Sequence, residues 1–245
     1  MTDGLLLLHA FPLDARMWEP QIEALATQVP VAAPNAPGFG GSLLSGQVTT
    51  MDDVADRAAE AMDAAGLERA VVCGLSMGGY AALAFWRRQR VRVAGLILAN
   101  TRAGADDGEG RERRRTLAER LRSEGHGFLV ESPPPLLSDG APDELWAWIK
   151  GNIAEQPPEA IAAASLGMAE RPDSTGDLGT IDVPTLVVTS TGDTLIPAAA
   201  TEPMASQISG ARLEVVAGAG HLTNLETPEA FNRLLHEHLS RCDVL

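Results

Sequence analysis

Ser76 lies among glycines, in the stretch CGLSMGGY that spans residues 73–80. The apolar run RAVVCG precedes it and an apolar helical pattern follows, so the serine falls at a junction between a strand and a helix. Gly74, Ser76 and Gly78 match the pattern G-x-S-x-G, in which a strained turn exposes a nucleophilic hydroxyl and small neighbours let the backbone pass closely. The alternative interpretation is a glycine-rich tight turn without chemistry.

A serine hydroxyl is a weak nucleophile at neutral pH, so it needs a base, and the base needs a carboxylate that orients it. Asp193 follows the apolar run TLVVTSTG, and His221 follows LEVVAGAG. Because the carboxyl ends of parallel strands meet at one edge of a sheet, we expect these side chains to converge near Ser76. Taken singly, Asp193 is also compatible with a turn residue and His221 with a helix cap or a core histidine.

An acyl-transfer site also needs hydrogen-bond donors for the oxyanion that develops on the substrate. Met77 follows the serine and would present its backbone N–H at the start of a helix. Phe11, in the loop HAFPLD after the first apolar run, is the candidate for the second N–H. Because only backbone groups would act, we expect side-chain substitutions at Phe11 and Met77 to be milder than Ser76→Ala.

A sheet must position these residues, and the chain alternates short apolar runs with helical patterns. The runs are continuous rather than alternating, which indicates strands buried on both faces, as in a parallel sheet covered by helices. The order of elements therefore predicts an α/β fold. We expect one helix to begin at Thr50, with Asp53 completing its cap and Gly66 ending it, and the last helix to begin with Thr227 as N-cap and Pro228 at its first position.

The alternation breaks between residues 102 and 176, where helical patterns and a proline-rich loop occur without a clear strand. We expect residues 102–176 to form a helical insertion, and residues 1–101 and 177–245 to form one core. The insertion contains the charged run RERRR at residues 111–115. Such a run is typical of a solvated helix face; the alternative is that it guides an acidic substrate.

Composition excludes several classes of partner. The chain of 245 residues has a formal net charge of −14, which repels nucleic acids and anionic membrane surfaces. Its two cysteines, Cys73 and Cys242, lie in no metal-ligand spacing and are expected to be reduced thiols. The start of the chain lacks the basic segment of a signal peptide, and no apolar stretch is long enough to span a bilayer, so we expect a cytoplasmic protein.

Several segments together resemble the α/β-hydrolase superfamily. They are LLLLHAFPLDARMW, PNAPGFGGS, CGLSMGGY, RPDSTGDLGTIDVPTLVVTSTGDTLIP and AGAGHLTNLETPEAFN. The match is closest to small bacterial carboxylesterases and to 3-oxoadipate enol-lactonase-like hydrolases. The resemblance implies that residues 102–176 are a cap over the pocket. Two features depart from the family. Ala10 stands where glycine is usual. We also expect the two antiparallel strands that normally precede the first strand to be absent or trimmed, which leaves about six strands, mostly or wholly parallel, rather than eight.

The resemblance also implies a reaction class. Dehalogenases and epoxide hydrolases of this fold carry an aspartate at the turn, whereas this chain carries Ser76. A serine nucleophile, with His221 and Asp193, implies hydrolysis of a small carboxylic ester, thioester or lactone through an acyl-enzyme, without a metal or an organic cofactor. Two alternatives stay open: a cofactor-free haloperoxidase or perhydrolase that uses the same three residues, and a non-catalytic ligand-binding protein of the same fold. A monomer and a homodimer are equally compatible with the sequence.

Substrate contacts are predicted from the cap and from the loops that carry the catalytic candidates. The predicted contact residues are Trp146, Trp148, Leu195 and Leu222. Met168 is expected to pack within the cap rather than to contact a ligand. The remaining histidines are expected to be ordinary surface or loop residues; they are His9, His126, His236 and His238.

Overall fold

The computed structural model describes residues 2–245, which form a single six-stranded sheet flanked by helices. The strands are β1 (Asp3–Leu8), β2 (Val31–Ala32), β3 (Arg69–Leu75), β4 (Val93–Ala99), β5 (Thr185–Ser190) and β6 (Arg212–Val216). Their order across the sheet is β2-β1-β3-β4-β5-β6, and every neighbouring pair is parallel. This architecture confirms the predicted α/β-hydrolase fold with about six parallel strands.

The central strands are buried on both faces because helices cover both sides of the sheet. Every residue of β4 and β5 is buried, as are all but the first residues of β1 and β3. The edge strand β6 departs from this pattern: its residues alternate between exposed and half-buried, and Leu213 and Val215 face solvent in part. An edge strand has no neighbour on one side, so its apolar run does not imply complete burial.

Ten α-helices connect or flank the strands within the described residues. Six of them accompany the sheet: α1 (Glu19–Leu25), α2 (Met51–Ala64), α3 (Met77–Gln89), α8 (Ala198–Gln207), α9 (Thr223–Glu226) and α10 (Pro228–Arg241). The other four lie between β4 and β5: α4 (Gly108–Glu124), α5 (Gly127–Glu131), α6 (Asp143–Ala154) and α7 (Pro158–Glu170). None of the described helices has the length and apolarity needed to cross a bilayer.

Two of the predicted helix starts can be compared with the structure. Thr50 and Asp53 form a complete capping box: the Thr50 hydroxyl accepts a hydrogen bond from the Asp53 N–H at 3.1 Å, and Asp53 accepts one from the Thr50 N–H at 2.8 Å. The last helix begins at Pro228, as predicted. However, the Thr227 hydroxyl donates to the Thr223 carbonyl at 2.9 Å, so it does not cap that helix.

His238 corrects one expectation from the sequence, because its side chain is buried rather than exposed. It lies on the inner face of α10, with only 1% of its surface exposed. Burial lowers the pKa of His238 to about 4, and the positive charges of Arg241 and Arg212 act in the same direction. His238 is therefore neutral in the folded protein at neutral pH.

This burial predicts an acid-sensitive contribution to stability. The unfolded chain binds a proton at His238 near pH 6.5, whereas the folded chain does so only near pH 4, so stability falls as the pH decreases through this window. The loss approaches about 3 kcal/mol at the lower end. In urea unfolding at pH 7 and at about pH 4.5, His238→Leu should lose less stability on acidification than the wild type. His236→Gln, an exposed change on the same helix, is the control and should follow the wild type. Equal acid losses in the wild type and His238→Leu would contradict this account.

Candidate active site

Ser76 occupies a sharp turn between β3 and α3. Its backbone angles are φ 58° and ψ −115°, outside the regions that L-residues favour. Hydrogen bonds on both sides hold the turn: the Ser76 N–H donates to the Ala99 carbonyl at 3.0 Å, and the Ser76 carbonyl accepts from the Thr101 hydroxyl at 2.8 Å. The predicted strand-to-helix position and the predicted strain at this serine are therefore both present.

The glycines around Ser76 are required by close backbone contacts. A Cβ atom on Gly74 would lie 2.1 Å from the Gly78 carbonyl oxygen, and one on Gly78 would lie 2.0 Å from the Leu8 carbonyl oxygen. A Cβ on Gly79 would lie 2.4 Å from Thr101 Cγ2. Small residues thus let α3 start directly against β1 and β3, which places Ser76 at the edge of the sheet.

His221 and Asp193 form a buried pair at the ends of the next strands. The Nδ1 atom of His221 lies 2.8 Å from Oδ2 of Asp193, and both side chains are almost completely buried. The other carboxylate oxygen of Asp193 accepts hydrogen bonds from the N–H groups of Leu195 and Ile196, each at 2.9 Å. These contacts orient the imidazole and leave its Nε2 atom for another partner.

The environment of Asp193 keeps its carboxylate ionised. Burial alone would raise its pKa, but the hydrogen bonds and charges around the carboxylate together outweigh that effect, and the hydrogen bond and charge of His221 are the largest of them. Hydrogen bonds from the Ile196 N–H and from the Asn100 side chain lower the pKa further. The net result is a pKa below the usual value for aspartate, so Asp193 is an acceptor for His221 at neutral pH.

Asn100 is a part of this site that the sequence analysis missed. Its Nδ2 donates to Oδ2 of Asp193 and to Oγ of Ser190, both at 2.9 Å, and its Oδ1 accepts from the Thr223 hydroxyl at 2.8 Å. The residue follows β4 with a positive φ of 45°, which asparagine tolerates better than most residues. A fully buried amide thus joins the ends of β4 and β5 to α9. Its signal in the sequence is a polar residue directly after an apolar run.

His9 was expected to be an ordinary surface or loop residue; it does lie in the loop after β1, but its side chain is buried. Only 2% of it is exposed, and its Nε2 accepts a hydrogen bond from the Ala36 N–H at 2.9 Å. Its Nδ1 lies 3.0 Å from the Ala10 carbonyl and therefore carries the proton. Burial lowers the pKa of His9, so the ring stays neutral. His9 links the loop after β1 to the segment after β2.

The backbone N–H groups of Met77 and Phe11 are the two candidate donors to a ligand. Met77 is the first residue of α3, where an N–H has no acceptor within the helix. Phe11 lies in the turn after β1. Neither N–H makes a hydrogen bond with another residue in the part of the chain that the structure describes. These are the two donors that the sequence analysis proposed for an oxyanion.

Ser76 and His221 line the same cavity, which has a volume of about 350 Å³. Phe11 and Leu195 are also in its wall, as expected from the sequence. The remaining apolar and aromatic lining residues are Tyr80, Leu117, Pro134, Leu136, Met168 and Ile196. Met168 was expected to pack only within the insertion, so its place in the wall is a correction.

Three of the predicted contact residues are not brought to the cavity, which corrects that assignment. Trp146 and Trp148 lie on α6, half-buried and packed against the core, away from the lining. Leu222 is fully buried, and its N–H donates to the Leu136 carbonyl at 2.9 Å, so its backbone supports the wall from behind. The direction of a side chain on a helix depends on how that helix packs, which spacing alone does not determine.

The two cysteines take no part in this site. Cys73 and Cys242 are free and buried, and burial raises the pKa of each thiol, that of Cys242 to about 11. Among the described residues, no group of three or more histidine, cysteine, aspartate or glutamate side chains is arranged to hold a metal ion.

The fold and the site define the class of this protein. A family model described as the alpha/beta hydrolase family matches residues 5–234, which is nearly the whole chain. The chain therefore belongs to the α/β-hydrolase family, and the resemblance predicted from its motifs is confirmed.

Three relatives of this chain are named as an esterase or an enol-lactonase. The chain is 30% identical over 232 residues to 3-oxoadipate enol-lactonase 1 of Acinetobacter baylyi, covering 93% of this chain and 85% of the relative. Among solved structures, a thermophilic esterase from Thermogutta terrifontis, with malate bound, is 42% identical with a TM-score of 0.94, covering 99% and 92% of the two chains. The enol-lactonase from Burkholderia xenovorans LB400 is 26% identical with a TM-score of 0.88, covering 98% and 92%. These relatives support the prediction of an ester hydrolase.

The close packing at the turn predicts a large effect of a single methyl group. Gly78→Ala would place Cβ against the Leu8 carbonyl, so the backbone must move, and we expect a destabilisation of about 3 kcal/mol. Gly151→Ala is the matched control: this glycine also lies in a helix, but a Cβ there meets no atom within 4 Å. Alanine at 151 should stabilise the protein by up to about 1 kcal/mol. Urea unfolding measures both values, and a neutral Gly78→Ala would contradict the packing argument.

Proposed function

We propose that this protein is a serine hydrolase that cleaves a small carboxylic ester or lactone through an acyl-enzyme intermediate. The observation that carries the proposal is the combination of the strained Ser76 turn and the buried His221–Asp193 pair at the wall of one cavity. Esterases and enol-lactonases among the relatives support the same class of substrate. The cavity volume of about 350 Å³ suits a small molecule.

In the first half of the proposed reaction, His221 acts as base and Ser76 as nucleophile. Nε2 of His221 takes the hydroxyl proton as Oγ of Ser76 attacks the carbonyl carbon. The resulting imidazolium is stabilised by Asp193, which accepts its Nδ1–H at 2.8 Å. When the tetrahedral intermediate collapses, the C–O bond to the alcohol breaks and His221 gives that oxygen the proton, which leaves the acyl group on Ser76.

The second half reverses these roles with water. His221 takes a proton from a water molecule, which attacks the acyl carbon, and then returns the proton to Oγ of Ser76 as the acid departs. In both halves the developing oxyanion would accept hydrogen bonds from the N–H groups of Phe11 and Met77. Neither N–H makes a hydrogen bond with another described residue, which supports this assignment. Each such donor typically contributes about 3 kcal/mol of transition-state stabilisation.

We also propose that residues 102–176 act as a cap over this site. Helices α4 and α7 pack against each other, and Leu117, Leu136 and Met168 from this segment share the cavity wall with Ser76 and His221. A wall from this segment would exclude water and select substrates by shape. The cytoplasmic location expected from the sequence stays a prediction, as does the choice between a monomer and a homodimer.

A fluorophosphonate probe and p-nitrophenyl esters test this proposal directly. The wild type should be labelled at Ser76 and should hydrolyse short-chain esters, whereas Ser76→Ala should lose labelling and at least about 10⁴-fold in kcat. Ser206→Ala, an exposed serine on α8, is the control and should leave both readouts unchanged. Phe11→Ala and Met77→Ala should lose much less activity than Ser76→Ala, because their backbone N–H groups remain.

Three outcomes would count against the proposed reaction. An unlabelled wild type that hydrolyses no ester or lactone but still binds a ligand would indicate a non-catalytic binding protein. Full activity in Ser76→Ala would exclude the nucleophile. Peroxide-dependent oxidation by the wild type in the presence of a carboxylic acid, without ester hydrolysis, would indicate a perhydrolase instead.

A further inference from the structure

Part of the cavity wall is strongly basic, although the protein as a whole is acidic. Arg102, Arg113 and Arg114 line it, and Asp106 is the one carboxylate in the lining. The chain carries a net charge of −14, so a local excess of positive charge in the cavity is not a consequence of composition. Two of these arginines belong to the RERRR run, which therefore faces the cavity in part rather than only solvent.

Asp106 and the arginines around it form a cluster in which positive charge exceeds negative charge. Asp106 is buried and forms ion pairs with Arg102, Arg114 and Arg171, so three guanidinium groups share one carboxylate. Burial would raise the pKa of Asp106, but hydrogen bonds and charges from Arg171 and Arg114 outweigh it and hold the pKa well below its usual range. Asp106 is already ionised, so it supplies one negative charge and the cluster retains two positive charges.

The three arginines of the cluster differ in how fully they are used. Arg171 is almost completely buried, donates to the Met168 and Gly104 carbonyls at 2.9 Å each, and stacks over the ring of Tyr80 at 4.0 Å. These contacts make it an anchor for the end of α7 rather than a ligand-binding group.

Arg114 and Arg102 each have N–H groups that make no hydrogen bond with another described residue. The Nε of Arg114 binds Asp106, while its two terminal nitrogens make no hydrogen bond with another described residue. Arg102 binds Asp106 through one terminal nitrogen, and its buried Nε has no hydrogen-bond partner among the described residues. Its other terminal nitrogen likewise makes no hydrogen bond with another described residue, and 38% of the Arg102 side chain is exposed, so an anion in the cavity would have N–H donors available on both arginines.

We propose that Arg102 and Arg114 form an anion subsite, and that the ester or lactone cleaved here carries a carboxylate group. The inference rests on the proposed function, because it assigns a substrate to the cavity that Ser76 and His221 line. Arg113 lies further out, paired with the exposed Glu109 at 2.8 Å, and would add to the attraction of an approaching anion. Guanidinium groups suit carboxylates because their parallel N–H groups match the two oxygens.

Matched pairs of substrates test this subsite. Monomethyl succinate and methyl pentanoate differ by a carboxylate on the acyl side, while 3-acetoxypropanoate and butyl acetate differ by one on the alkoxy side. We expect the wild type to prefer the anionic member of one pair by roughly tenfold or more in kcat/KM, mainly through KM. The pair that shows the preference identifies the side of the scissile bond that faces the arginines.

Variants on α4 separate charge recognition from general structural effects. Arg114→Gln should reduce the ratio of anionic to neutral kcat/KM by roughly tenfold, whereas Arg114→Lys, which keeps the charge but loses the parallel N–H groups, should retain only part of it. Arg115→Gln is the matched control: it removes the same charge from the adjacent, exposed position, whose partner is Glu112 outside the cavity. It should leave the ratio unchanged. Circular dichroism and thermal unfolding establish that each variant is folded.

A binding measurement keeps the subsite testable if no ester is turned over. Succinate should raise the thermal unfolding temperature of the wild type and of Arg115→Gln, but not of Arg114→Gln. Normal labelling and hydrolysis of neutral esters, with no anionic preference and no succinate effect, would overturn the subsite and leave the proposed function intact. Loss of labelling and hydrolysis, with a succinate effect that depends on Arg114, would overturn the proposed function and retain an anion-binding site.

Discussion

The backbone contact between β1, β3 and the start of α3 is the constraint on which the site depends. Ser76 keeps a positive φ because Gly74, Gly78 and the ends of the neighbouring strands fix the path of the chain on both sides. Without that approach the helix would start elsewhere, and the serine hydroxyl would not lie at the sheet edge. Packing that extends across three strands maintains the strained backbone of Ser76. The strained turn exposes the serine side chain, which a relaxed turn would direct elsewhere.

A second layer of the site is electrostatic and lies behind the serine. The carboxylate of Asp193 accepts four hydrogen bonds, from His221, Asn100 and the N–H groups of Leu195 and Ile196, so its charge is buried without being left unsatisfied. A carboxylate with all of its hydrogen bonds made fixes the position of the His221 imidazole ring and also stabilises it by charge. In the arginine cluster around Asp106 the balance is different, because the positive charge of the arginines exceeds the negative charge of Asp106.

The sequence predicted the parts of this site that depend on local pattern. Ser76, Asp193 and His221 each follow an apolar run, and parallel strands bring such positions to one edge of the sheet, so their place could be inferred without coordinates. Residues that depend on packing between distant segments were missed or misplaced. His9 and Asn100 bind partners contributed by other elements, and the tryptophans of α6 face away from the cavity because of how that helix packs. For the same reason, the sequence alone could not show which arginines of the RERRR run line the cavity.

The most direct test of the account is a crystal structure of the protein after reaction with a phosphonate ester that mimics the tetrahedral intermediate. The account predicts phosphorus bonded to Oγ of Ser76, with Nε2 of His221 within about 3.2 Å of that oxygen and the phosphoryl oxygen facing the N–H groups of Phe11 and Met77. An adduct on another residue, or a His221 ring beyond hydrogen-bond reach of Ser76 in the adduct, would contradict it.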